Sequence, residues 1–128
     1  MGGELETATR QLFKALDEKD TDSLIGSLAR DVQGVDEISR RWMRGVGAIS
    51  TYFRETMKMI EDIQSTINDV RETVNGDIGF VTFWLEQDYA LDGQRTHVSA
   101  PTTLAFRRES DRWKTLLIHT VPLPPEES

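Results

Sequence analysis

The sequence predicts an α+β domain, with three N-terminal helices packed on one face of a strongly curved antiparallel sheet. Two patterns carry that expectation. From Gly76 to Val121 three apolar runs, Ile78 to Leu91, Thr96 to Arg107 and Trp113 to Val121, alternate like strands and are divided by turn residues. Before them, apolar residues recur at helical spacing in three separate stretches. A third observation concerns what covers the sheet. Phe80-Val81-Thr82-Phe83-Trp84-Leu85 is apolar on both alternating faces, so each face needs a cover: the helices on one side and a second subunit on the other.

The elements follow in order. Leu5, Ala8, Leu12, Ala15 and Leu16 form one helical stripe, with Glu4 and Glu6 at the end where the helix dipole favours negative charge. Asp20, Thr21 and Asp22 offer N-cap oxygens for a short second helix, which carries Leu24, Ile25 and Leu28 inward until about Arg30. Asp31 to Gly45 is polar and aperiodic and reads as a short strand and an irregular loop. Val46, Ile49, Phe53, Met57 and Ile60 give a third helix of about four turns. A strand then runs from Ile63 to Val74, and Asn75-Gly76 is a hairpin dipeptide feeding the next run.

Asp92-Gly93 supplies the next hairpin loop, because glycine accepts positive φ without a Cβ clash. If that pair is the loop centre, residues whose numbers sum to 185 face one another, which sets Pro101 opposite Trp84 and His97 opposite Asp88. Proline donates no ladder hydrogen bond, so a bulge is expected at Pro101, bending the sheet into a cone with a cavity.

The chain has 128 residues, the size of one domain and enough for a core without staples. We expect a single domain over residues 1–121 and an extended tail over 122–128. The net charge of −7 argues against phosphate-backbone binding, and Arg40, Arg41, Arg44, Arg107 and Arg108 read as solvated charges. Cysteine is absent, which removes disulfide frameworks and redox motifs. No apolar run approaches the ~18 residues of a membrane span, and Met1-Gly2-Gly3-Glu4 lacks signal-peptide character, so the cytoplasm is the default location. The two histidines have no metal-ligand spacing, so neither a metal nor an organic cofactor is expected.

The element order, the stretch from Arg44-Gly45 to Ile49-Ser50-Thr51-Tyr52-Phe53, and the ending Thr103-Leu104-Ala105-Phe106-Arg107 to Trp113-Lys114-Thr115-Leu116-Leu117-Ile118-His119 resemble the nuclear transport factor 2-like superfamily. Within it, the chain is similar to SnoaL-like and ketosteroid-isomerase-like domains. The resemblance implies a cystatin-like cone with an internal pocket and a homodimer joined through the outer sheet face. It does not imply one activity, because this scaffold hosts isomerases, cyclases, dehydratases, hydrolases, binders and association modules.

Asp36 lies nine residues before Gly45, a spacing similar to that of the base in ketosteroid isomerases, which makes it a candidate catalytic base at the pocket mouth. The alternative is a solvated loop carboxylate beside Glu37. The steroid isomerases' oxyanion donors are missing, since Leu12 and Phe13 stand where their helix-one Tyr falls and Thr102 or Thr103 near their protonated Asp. Pro101 stands near an arginine of many SnoaL-like relatives, which weakens a case for anionic substrates.

His119 follows Trp113 by six residues, which would put both on one side of the last strand, either as a pocket donor or as a sheet histidine at the dimer face. Trp42, Trp84, Phe53, Thr102 and Thr103 are the candidate ligand-binding residues. The Asp88 and His97 pair reads as a solvated cross-strand contact. The functional expectation is therefore a pocket for a small apolar or carbonyl-containing molecule, used for acid–base chemistry of an isomerase, cyclase or dehydratase kind. The alternative is a non-catalytic binder or an association module.

Overall fold

The computed structural model describes residues 3–123. Its helices are α1 (Glu4–Asp17), α2 (Thr21–Gly26) and α3 (Val46–Met59). Its strands are β1 (Leu28–Val35), β2 (Met43–Arg44), β3 (Ile60–Asn75), β4 (Ile78–Leu91), β5 (Gln94–Glu109) and β6 (Arg112–Thr120). They form one sheet in the order β2-β1-β6-β5-β4-β3, antiparallel throughout except for the parallel β1–β6 pair. Among the described residues no helix is long and apolar enough to cross a membrane.

Helix α1 buries Leu5, Leu12 and Ala15, the stripe expected from spacing, and its first turn carries Glu4 and Glu6. It is fastened to β3 at both ends. Glu6 N–H donates to the Glu72 carboxylate at 2.8 Å, while Ser65 N–H and Oγ donate to Asp17 at 2.9 and 2.6 Å. Gly79 lets this helix approach the sheet, since a Cβ there would stand 2.9 Å from the Thr73 carbonyl and closer still to the Leu5 side chain.

Helix α2 begins where expected, with Ser23 N–H donating to Asp20 Oδ1 at 3.2 Å. It ends four residues earlier than the apolar spacing suggested. Leu28 and Ala29 begin β1 instead, because the parallel partner β6 satisfies this backbone, with Thr115 N–H donating to the Ser27 carbonyl at 2.8 Å. The polar stretch from Asp31 to Gly45 holds the last five residues of β1, a turn and the two-residue β2, close to the short strand and loop expected.

The β4–β5 register matches the sequence expectation at every position, with Trp84 opposite Pro101 and Asp88 opposite His97. Asp92 and Gly93 both have positive φ, +53° and +84°, as a two-residue type I′ loop requires. The β3–β4 hairpin turns instead on Gly76, at φ +66°, with Asn75 still in the strand opposite Ile78.

The expected bulge at Pro101 is absent. The β4–β5 ladder passes through it without a slip. β6 ends at Thr120 opposite Thr102, so beyond it the flank of β5 away from β4 is open and a missing N–H breaks no pairing there. Curvature enters elsewhere. β3 slips register twice, between Glu61 and Gln64 and between Asn68 and Arg71, where Asp62 and Asp69 take positive φ. A further bulge lies in β6, where Leu116 is skipped between the partners of Ala105 and Phe106.

The inner sheet face carries Val81, Phe83, Leu85, Val98, Leu104 and Phe106, all buried beneath the helices. The outer face leaves Phe80 at 44% exposure and Trp84 at 37%, with Ile78 also exposed.

Candidate functional site

The inner ends of β1 and β6, the loop after β1, and helices α1 and α3 enclose a cavity of about 60 Å³. Its wall is mostly apolar, built from Leu12, Phe13, Met43, Ile49, Phe53 and Ile118, with Asp36 and Tyr52 as its principal polar groups. A roomier open groove of about 650 Å³ runs outside the cone between α1, α2 and the start of β6. Its polar groups are largely engaged in local contacts, such as Lys114 Nζ to the Gly26 carbonyl at 2.6 Å and Trp113 Nε1 to Glu4 at 2.9 Å. The small cavity is the better candidate, because convergent polar groups in an apolar enclosure mark a site more than volume does.

Asp36 follows the last residue of β1 and begins a tight turn. Its Oδ1 accepts N–H bonds from Ile38 at 3.0 Å and Ser39 at 2.8 Å, so the side chain closes the turn itself. The Tyr52 hydroxyl, from α3, lies 2.7 Å from both carboxylate oxygens. Oδ1 is thus saturated, while Oδ2 has Tyr52 as its side-chain donor and keeps a lone pair for another group. Burial, then the adjoining Asp36 charge, pushes the Tyr52 phenol far above its ordinary range, so it stays a neutral donor.

The next residue turns toward a different compartment. Glu37 receives the Tyr89 hydroxyl at 3.3 Å, and Tyr89 is only 2% exposed, within a cluster that includes Met57, Ile60, Ile63, Val98 and Ala100. Loss of solvent raises the Glu37 pKa above the usual carboxylate value, and the neighbouring Asp36 charge adds to that. Tyr89 is raised as well, first by burial and then by the Glu37 charge.

Of the expected site residues, Asp36 and Phe53 line the cavity together. Thr102 is buried on the same inner face, and its hydroxyl pairs at 2.9 Å with that of Thr120, a wall residue. The other four are not brought there. The Leu116 bulge reverses the alternation of β6, so the expectation that Trp113 and His119 share a side is corrected. Trp113 packs against the inner core, whereas His119 pairs with Thr103 and is exposed on the outer face. Trp42 is no cavity wall either. It stacks on His119 with ring centroids 5.8 Å apart and is 46% exposed. Trp84 and Thr103 lie on the outer face by the same alternation, with Trp84 Nε1 donating to Ser99 Oγ at 2.7 Å.

Tyr52, Glu37 and Tyr89 were not among the sequence candidates. Tyr89 had a signal, since it shares parity with Val81, Phe83 and Leu85. Tyr52 had a weaker one, three residues after Ile49 on the inward stripe of α3. Glu37 had none. Among the described residues no group of three or more His, Cys, Asp or Glu side chains is arranged to hold a metal ion.

No curated protein gave a significant sequence match. Among solved structures, a proposed dehydratase of the NTF2-like family from Streptomyces avermitilis superposes with a TM-score of 0.87 at 22% identity, over 95% of this chain and 96% of that one. A ketosteroid isomerase-like protein from Erwinia carotovora atroseptica gives 0.79 at 18% identity, over 94% of each chain. The CaMKII hub of S. rosetta gives 0.78 at 15% identity, over 96% of this chain and 99% of that one. At these identities the likeness is one of fold, and another superposed structure is described as NTF2-like with a cystatin-like fold. A sequence model of the SnoaL-like domain matches residues 5–122, nearly the whole length, and the chain therefore belongs to the SnoaL-like domain family.

Proposed function

We propose that this chain binds a small apolar or carbonyl-containing molecule in the cone and performs acid–base chemistry on it, of the isomerase, cyclase or dehydratase kind, with Asp36 as the base. The observation that carries the reading is the Asp36 carboxylate on an apolar wall, oriented by two backbone N–H groups and Tyr52, with one oxygen that keeps a lone pair to take a proton. Tyr52 would hold the carboxylate and share the charge that proton transfer moves. Phe53 and Thr102 would contribute the inner wall. The test is deuterium exchange at the carbon next to the carbonyl of cyclic ketones in D2O, followed by NMR. The expected result is protein-dependent exchange that Asp36→Asn abolishes while ketone binding survives, and equal exchange by both proteins would refute it.

A second reading has its own support. The cavity is small against the ~300 Å³ at which ligand pockets begin, while the outer face leaves Phe80, Trp84 and Ile78 uncovered. A homodimer through that face fits either reading, and a higher-order association module fits this one. Light scattering separates them: a mass above two chains, together with no ketone binding, favours association alone.

A further inference from the structure

Asp36 and Glu37 are consecutive, yet their carboxyls serve different compartments of one interior. Asp36 faces the small cavity with Tyr52, and Glu37 faces the cluster around Tyr89. Leu16 both lines the cavity and packs against that second cluster, so the cavity borders the cluster's packed side chains. A cavity of about 60 Å³ holds roughly two waters. A ligand of even one ring must therefore displace something, and toward Glu37 it meets Met57, an unbranched thioether that repacks at low cost.

We infer that Glu37 and Tyr89 form a second polar anchor of the interior, which takes a neutral oxygen, carbonyl or hydroxyl, of an otherwise apolar ligand and excludes carboxylates. This rests on the pocket reading above and names its ligand class. The geometry supplies both halves of the selection. Tyr89 brings a hydroxyl that is 2% exposed and has Glu37 as its one side-chain partner among the described residues, at the long distance of 3.3 Å. A protonated Glu37 adds a second donor, so a ligand oxygen can bridge the pair. A ligand carboxylate would instead lose its hydration in an apolar space beside the Asp36 charge.

The groups facing Glu37 are few. Asp36 lies on its own turn, Tyr52 on α3 and Tyr89 on β4. α1, β3 and β5 close the compartment with Leu16, Ile60, Ile63, Val98 and Ala100, none of which titrates. Burial therefore keeps Glu37 protonated at a higher pH than a solvated glutamate. Neutral ligands should bind best below its midpoint and lose affinity as the pH rises through it.

The experiment is calorimetric titration of the full chain with decalone, decalol and the matching decalin carboxylate across pH, together with carbon NMR of the Glu37 carboxyl. The expected result is that ketone and alcohol bind at least about tenfold tighter than the carboxylate, that Glu37→Gln keeps neutral binding but flattens its pH dependence, and that Tyr89→Phe weakens it about tenfold. Equal binding of the carboxylate overturns the inference, as does a pH dependence that persists in Glu37→Gln or a Glu37 midpoint at the solvated value. Binding by none of the probes overturns it together with the pocket reading. Selective binding without ketone exchange leaves it standing and removes only the catalytic role of Asp36.

Discussion

The two faces of the sheet carry similar chemical groups in different solvents. Inside, Asp36 and Glu37 meet two tyrosines beneath the helices. Outside, His97 lies between two carboxylates, 2.8 Å from Asp88 and 2.9 Å from Glu86, while Ser99 donates to Glu86 and Trp84 to Ser99. In the interior, loss of water is the largest influence on Glu37 and Tyr52. On the outer face, the hydrogen bond to Asp88 is the largest influence on His97 and raises its pKa. Enclosure, more than the residue list, decides which cluster can hold an unusual protonation state.

The comparison breaks first at the core that creates the enclosure. Phe106 is 1% exposed, and Phe106→Ala should lower stability by about 3–5 kcal/mol in urea unfolding. A loss below about 1 kcal/mol would mean that the inner face is loosely packed. Next comes Tyr52→Phe, which takes from Asp36 a hydroxyl bonded at 2.7 Å and should cost about 2 kcal/mol, the range for bonds to a charged group.

The pH dependence sharpens the contrast. Glu37 has a folded-state pKa above its unfolded value, so between the two the native state binds more protons and stability falls as pH rises through that window. Glu37→Gln should flatten this slope in denaturation curves taken across the window, and an unchanged slope would place its cause elsewhere.

On the outer face, Phe80→Lys should change the unfolding free energy of the single chain by no more than about 0.5 kcal/mol. If that face joins two chains, the same variant should sediment as a monomer at concentrations where the parent chain does not. The smallest effect belongs to His97. Its raised pKa makes its contribution complete below the unfolded value and lost as pH rises through the folded one, and solvent screens it. His97→Gln should remove a slight, salt-sensitive slope from the thermal midpoint, and a slope insensitive to salt would contradict this surface account.

Particular residues show where the sequence was legible. Asp92-Gly93 set the β4–β5 register from end to end, because a two-residue loop fixes every cross-strand partner. The stripe from Leu5 to Ala15 set the buried face of α1. Pro101 misled because its missing N–H matters only where a partner strand stands, and β6 has ended by then. His119 misled because one bulge residue, Leu116, exchanges the faces of all that follows it in the strand.

By itself, then, the chain's order of residues determined the element types, the central hairpin and the family, since these depend on local periodicity, turn chemistry and near neighbours. The tertiary structure decided which polar groups share an interior. Tyr52 reaches Asp36 across 16 positions and Tyr89 reaches Glu37 across 52, and no local pattern encodes a meeting that depends on how bulges in β3 and β6 bend and re-face the sheet.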